Sequence, residues 1–267
     1  MPVGDVVLAA RYRAGGPGVP VLLVHGLTSN ARTWDGVAAA VAAAGHPVLA
    51  VDLRGHGASA AAPDEPGGDA TLAAVEDLAA VCASLGWTRV VLAGHSWGGN
   101  IVLQLAAGRA DLVAGLVLVN GGWLHLHERF ADVDAAWRAL APPDMTGWTV
   151  DAIREELADA HPGWSDGAIE ASLANLERRP DGSIRPWLAP DRHRARLAAM
   201  FTHRPRELYP GVACRTAVLA AGDPPEVEAT EAAAALPDGV LTVFPGGDHD
   251  LQLQQPDRVA AAITALG

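Results

Sequence analysis

The sequence predicts an α/β fold, a mostly parallel doubly wound sheet carrying a helical insertion. Three observations lead there. Up to Asn120, short apolar runs alternate with alanine-rich segments of helical length. Those runs are apolar at every position, the pattern of strands covered on both faces. The alternation then stops, and it resumes only near Thr216.

Taken in order, Val21–Val24 ends at His25-Gly26, Val48–Val51 at Asp52, Val90–Ala93 at Gly94, and Leu116–Val119 at Asn120. Helical stretches are expected over Thr33–Ala44, Thr71–Leu85 and Trp97–Gly108. Repeated strand–helix–strand units of this length wind right-handedly into one sheet with helices on both faces. From Trp123 to Arg206 no buried strand is legible. Amphipathic helical stretches there are cut by Pro142-Pro143, Pro162, Pro180, Pro186 and Pro190, and five of the eight tryptophans fall in this region. A strand at Thr216–Ala220, a helix near Glu226–Leu236, a strand at Leu241–Phe244 and a last helix near Pro256–Leu266 complete the chain. The expected organisation is one core, residues 1–122 and 207–267, with an insertion at 123–206. Ala60–Asp69, rich in proline and glycine, is expected to be a solvent loop.

Composition removes several classes of function. The 267 residues carry 19 basic groups, all arginine, against 31 acidic ones, a net charge of −12. Nucleic-acid binding requires a basic face, so it is not expected. Cys82 and Cys214 make neither a disulfide scaffold nor a metal knuckle. No signal-peptide pattern opens the chain, and no apolar run reaches spanning length, so the expected setting is cytoplasmic. Neither a metal cluster nor a dinucleotide fingerprint is present, so no cofactor is expected. Gly94–Gly99 lacks the lysine a phosphate loop needs.

Three motifs carry chemistry. Gly94-His95-Ser96-Trp97-Gly98 lies directly after a strand and directly before a helix, the setting of a G-x-S-x-G nucleophile elbow. A sharp turn lifts Ser96 above the sheet and leaves no room for side chains two residues before and after it. Val24-His25-Gly26-Leu27-Thr28 follows an early strand. Acyl transfer needs two amides aimed at the oxyanion, and the N–H groups of Leu27 and Trp97 are the expected pair. His25 is read as a brace for that loop. With Gly26, Asn120, Trp123 and His125 it is also expected to border the substrate pocket. Gly246-Gly247-Asp248-His249-Asp250 follows the last strand, and His249 is the histidine placed to serve Ser96 as base. His46, His161, His193 and His203 read as surface residues.

Oxyanion loop, serine elbow and late histidine, in that order, resemble the α/β-hydrolase superfamily over essentially the whole chain. Asp52-Leu53-Arg54-Gly55-His56-Gly57-Ala58-Ser59 is similar to its D-x-x-G-x-G-x-S loop. The resemblance implies an eight-stranded, mostly parallel sheet, a helical cap at 123–206 and Ser–acid–His catalysis. The family places its acid after the strand that follows the cap, where the chain reads Gly222-Asp223-Pro224-Pro225-Glu226, or after the strand preceding the cap, where Asn120 stands. Asp223 is the expected acid and Glu226 the reserve. Asn120 cannot carry the charge that supports an imidazolium.

A serine nucleophile argues against dehalogenase and epoxide-hydrolase chemistry, which in this fold proceeds through an aspartate. It points to esters, lactones or thioesters of small to medium apolar acyl groups. Two alternatives stand beside this: a cyclase or lyase using the pocket without hydrolysis, and a degenerate ligand-binding member. Between Arg178 and Arg206 eight arginines face two aspartates. That reads as a solvated helix face or as a docking patch for an acidic partner such as an acyl carrier protein.

Overall fold

The computed structural model describes residues 1–4, 6–59 and 68–267, so most of the expected solvent loop at 60–69 lies outside the described residues. Short strands β1 (Pro2–Val3) and β2 (Val6–Val7) precede β3 (Ala10–Arg13), β4 (Val21–Val24), β5 (Val48–Val51), β6 (Val90–His95) and β7 (Val113–Val119). The insertion contributes β8 (Leu176–Arg178) and β9 (Ile184–Pro186), and β10 (Arg215–Ala221) and β11 (Val240–Phe244) close the core. The main sheet runs β11-β10-β7-β6-β4-β5-β3, parallel throughout except for antiparallel β3 at one edge.

The sheet thus has seven described strands, one fewer than the expected eight. Residues 2–3 and 6–7 do not join it. The chain reverses at Gly4, where φ is +55°, and Val3 pairs with Val6 as a separate hairpin.

The fully apolar runs explain the architecture. Every residue of β4, β5 and β6 is buried. Alternate side chains enter two separate cores: Leu22, Leu49, Leu92 and Leu118 pack on one face, and Leu23, Ala50, Val91 and Val117 on the other. Period-two alternation is therefore present but invisible in hydropathy, because both faces are apolar. Helices form Asp35–Ala43, Ala70–Ser84, Trp97–Gly108, Val227–Ala235 and Pro256–Thr264, within a few residues of expectation. Asp69 starts the second of these, its carboxylate accepting from the Thr71 and Leu72 amides.

The insertion is helical except for one element missed in the sequence. β8 and β9 form an antiparallel ribbon whose buried ends, Leu176 and Ile184, pack with Ile169 and Leu173. Three residues per strand are too few to show a period. Three of the eight arginines from Arg178 to Arg206 pair with carboxylates of described residues: Arg185 with Glu177, Arg194 with Asp134, and Arg206 with Glu128 and Glu231. Arg196 is buried, its guanidinium directed at the carbonyls of Arg54 and Arg192. No described helix is long and apolar enough to cross a membrane.

Candidate functional site

The elbow forms where β6 meets the helix Trp97–Gly108. Ser96 has φ +53° and ψ −121°, a region that L-residues enter at a cost of about 1–3 kcal/mol. Its amide is fixed to the Val119 carbonyl at 2.9 Å. The flanking glycines are required sterically. A side chain at Gly98 would collide with the Val24 and His25 carbonyls, and one at Gly94 with the backbone of Gly98. Gly26 closes over the serine, and a β-carbon there would stand 3.1 Å from Ser96 Cβ.

The amides of Leu27 and Trp97 have no hydrogen-bond acceptor among the described residues. Trp97 opens its helix, where N–H groups are left without intrahelical partners. The Leu27 loop is braced by two buried histidines. Leu53 N–H donates to His25 Nε2 at 3.0 Å, so the ring carries its proton on Nδ1 and donates it to the Gly26 carbonyl at 2.7 Å. His56 Nε2 lies 2.6 Å from the Leu27 carbonyl and Nδ1 2.9 Å from that of Arg54. Burial lowers these rings to about 4 and about 3; the neutral His25 satisfies both of its contacts, whereas a neutral His56 can donate to only one of the two carbonyls it faces. His25 is a brace, as expected, and is fully buried rather than part of a pocket wall.

The D-x-x-G-x-G-x-S loop is a scaffold for the same region. Asp52 accepts from the Ala31 and Ala58 amides at 2.7 and 2.9 Å, and Ser59 Oγ accepts from Ala9 N–H at 2.8 Å. Burial pushes the Asp52 carboxyl up.

His249 arrives on the loop after β11 and is tied to both neighbours of the elbow. His95 Nε2 reaches its carbonyl at 2.9 Å, and the two rings lie 4.8 Å apart. Asn120 donates to the His249 carbonyl at 2.9 Å and to that of Asp248 at 3.2 Å, while its oxygen accepts from Ala221 N–H at 2.8 Å. The imidazole itself is exposed, and the Ser96 hydroxyl has no hydrogen bond to a described residue. Elbow and base loop are therefore together, without a closed serine–histidine contact.

Asn120 thus has a task beyond bordering a pocket. Its amide stitches β7, the end of β10 and the base loop, at φ +42°. An aspartate there would turn lone pairs toward two carbonyls. We expect Asn120→Asp to lose about 2–4 kcal/mol of stability, from two broken hydrogen bonds and a buried charge. Urea unfolding at neutral pH checks this.

The structure does not join Asp223 to His249. Gly222, at φ +101°, bridges back to Pro225, so Asp223 and Pro224 form the exposed tip of a tight turn. The Asp223 carboxylate has no hydrogen bond or ion pair with a described residue. Glu226, at the foot of the turn, lines a cavity of about 320 Å³ with Asn120, Trp123, Arg129, Asp248 and His249. Trp123 Nε1 and Arg129 hold its carboxylate at 2.8 and 3.0 Å. Trp123 borders this cavity. His125 does not: it is buried beside His127.

Other polar residues emerge only in three dimensions. His193 and His203, expected at the surface, are buried. His203 bridges Asn100 and Gln104 at 3.2 Å each, and burial lowers it to about 4. Asn100, fully buried, accepts from Gly122 N–H at 2.9 Å and donates to the Leu124 carbonyl at 3.2 Å, which fixes the start of the insertion. A polar side chain directly before the apolar run Ile101–Leu103, at the start of a buried helix, was the available signal for Asn100.

The profile of the alpha/beta hydrolase family matches residues 21–262, from the oxyanion strand through the base loop to the last helix. The chain belongs to the alpha/beta hydrolase family. It is 37% identical over 157 residues to lipase LipV of Mycobacterium tuberculosis, covering 58% of this chain and 55% of that protein. It is 30% identical over 182 residues to epoxide hydrolase A of the same organism, covering 65% and 51%. The chain spans between 31% and 55% of the length of these and other curated relatives. The structure of E-2-(acetamidomethylene)succinate hydrolase superposes with TM-score 0.77 at 23% identity, covering 98% and 96% of the two chains. The thioesterase domain from a curacin biosynthetic pathway superposes with TM-score 0.77 at 18% identity, covering 99% and 97%. At such identities these two likenesses speak for the fold.

Proposed function

We propose that this alpha/beta hydrolase cleaves an ester, lactone or thioester of a small to medium apolar acyl group through an acyl-enzyme on Ser96. The observation that carries the reading is the elbow. A strained serine stands beside two amides without an acceptor among the described residues, with a histidine loop bound to His95 and to Asn120 at the end of β7. Ser96 Oγ attacks the carbonyl carbon as His249 takes the hydroxyl proton. The Leu27 and Trp97 amides receive the oxyanion. The imidazolium then gives its proton to the departing alcohol or thiol. Water, deprotonated by the same ring, releases the acid. The relative named as a lipase supports an ester-type bond.

The arrangement after β10 favours Glu226 over Asp223 as the carboxylate that orients His249. Glu226 shares the cavity with that ring, and a carboxylate held by two donors still has acceptor sites to offer. The acyl chain would occupy a second cavity, of about 360 Å³, between the oxyanion loop at Thr28-Ser29 and the insertion's Leu140, Met145, Leu157 and Leu188. Its apolar wall and modest size suit a medium-length chain.

A fluorophosphonate probe tests the reading. Adduct formation mapped to Ser96, with hydrolysis of p-nitrophenyl esters peaking at intermediate chain length, is the expected result. Glu226→Gln should slow labelling by about 10²-fold while Asp223→Asn leaves it within about twofold. Labelling without turnover on esters, lactones and thioesters would instead favour non-hydrolytic use of the pocket, and no labelling a binding protein.

A further inference from the structure

The catalytic cycle leaves the carboxylate next to His249 without a task, yet Asp248 is among the most heavily engaged acids in the molecule. Its Oδ2 accepts from His161 Nδ1 at 3.0 Å and from Trp164 Nε1 at 2.8 Å. Its Oδ1 accepts from the Asp250 amide at 2.9 Å, and its own amide donates to Gln254 at 3.0 Å. His161 and Trp164 belong to the insertion, on the link between the helices Val150–Ala160 and Asp166–Leu173. Their rings stack 4.0 Å apart at 16°, which presents both N–H groups to one oxygen. Trp164 also packs on a small cluster that joins Ala168 and Ala171 of the insertion to Leu253 of the core.

We propose that His161 and Trp164 are positioning residues for the His249 base, forming a hook by which the insertion holds the base loop in register with Ser96. The proposal rests on the reading of Ser96 and His249 given above. The loop is clamped from two sides. Asn120 and His95 pull on the His249 carbonyl from the sheet, and the hook pulls on the preceding side chain from the insertion. The hydrogen bonds of both anchors end on the loop backbone or on Asp248 and none on the imidazole nitrogens, although the His95 ring packs against that of His249, so the ring can move protons while its backbone is fixed. The hook also directs Asp248 away from the neighbouring ring, because both of its oxygens are taken by other donors. That leaves the orienting role to Glu226. A misplacement of about 1 Å at a reacting group costs on the order of 10²-fold in rate, so a clamp of this kind acts on the chemical step rather than on binding.

Two variants remove the donors while keeping the stack: Trp164→Phe and His161→Phe. Hydrogen exchange of the 246–250 amides, followed by mass spectrometry, reads the hook without any appeal to activity. We expect exchange there to quicken by about tenfold or more in each variant, with amides of β4 and β6 unchanged. The fluorophosphonate labelling rate should fall by about tenfold, with the loss in kcat rather than KM on a good ester.

The pH dependence separates positioning from simple loosening. The ionisable groups around His249 are Asp248 and Asp250 on its own loop, His95 from β6, Glu226 and Arg129 across the cavity, and His161 from the insertion. Freed from its hook, Asp248 favours the protonated imidazole, so the acid limb of the labelling profile moves to higher pH in Trp164→Phe and His161→Phe. In Asp248→Asn, which loses both the hook and the charge, it moves to lower pH. Exchange in both phenylalanine variants within about a factor of two of the parent would overturn the hook whatever the activity. So would a KM effect with an unmoved pH profile. Failure of the parent chain to label at Ser96 would overturn the hydrolase reading, while the exchange comparison would still decide whether the hook holds the loop.

Discussion

Ser96→Ala is expected to lower kcat/KM by about 10⁴-fold or more while leaving the fold intact, a separation few other positions in this chain would give. On the proposed mechanism the rate falls because the substituent lost is the attacking atom, and the Leu27 and Trp97 amides then stabilise only whatever water reaches the carbonyl unaided. Stability holds for a different reason. The strained backbone at φ +53° is a cost imposed on any β-carbon, and alanine has the same one. The hydroxyl has no hydrogen bond to a described residue that the substitution would break. The urea midpoint should therefore change by no more than about 0.5 kcal/mol. Ser96→Gly, by contrast, relieves the left-handed strain and should be more stable than the parent by about 1 kcal/mol, the mark of a site held in a functional but unfavourable conformation. His249→Ala in the Ser96→Ala background should cost little further rate, because the two act as one unit. A Ser96→Ala protein hydrolysing esters at more than about a tenth of the parental rate would move the nucleophile elsewhere.

That serine was legible in the sequence because its constraints are local. The glycines two residues to either side, the apolar run before and the helix after are all set by steric demands within a few residues. The same holds for the parallel strands, whose burial on both faces is written into every position of Val21–Val24 and Val48–Val51. The acid was not legible in this way. Asp223 and Glu226 are three residues apart, both with exposed side chains, and what separates them is a turn closed by the Gly222–Pro225 bridge, which puts Asp223 at its tip and Glu226 in the lining of the cavity. Nor could hydropathy reveal the contact of Asp248 with Trp164, 84 residues apart, or the three hydrogen bonds of Asn120 to segments that begin about a hundred residues later. Burial of His193 and His203 was missed because a histidine carries the same letter whether its nitrogens meet water or a buried amide.

Those buried rings set the second large expectation: the protein should lose stability steeply between pH 6.5 and pH 5. Burial lowers His25 to about 4, His56 to about 3, and His95 and His203 to about 4, from the ordinary imidazole value of 6.5. In the window between the folded and unfolded values only the unfolded chain binds these protons. Stability therefore rises with pH there and falls on acidification, by up to about 1.4 kcal/mol per pH unit for each ring. Four rings acting together remove on the order of 8 kcal/mol by pH 5, comparable with the whole 5–15 kcal/mol of an ordinary domain. Asp52, whose buried carboxyl is raised, acts in the opposite sense over the window that extends upward from 3.8, but it is one group against four. Unfolding free energies from urea titrations at pH 7.5, 6.5 and 5.5 should give a slope approaching an uptake of about four protons at the acid end. His203→Gln removes one of them and should flatten that slope by about one proton, because glutamine has no charged form to favour in the unfolded chain. His25 and His56 brace the oxyanion loop, and His95 grips the base loop. Their protonation on unfolding would thus dismantle the site and the fold in one transition, with labelling at Ser96 and the urea midpoint falling over the same pH range. A midpoint unchanged from pH 7.5 to 5.5 would mean that these rings are charged in the folded state, and that the neutral imidazoles bracing the elbow are not what holds it.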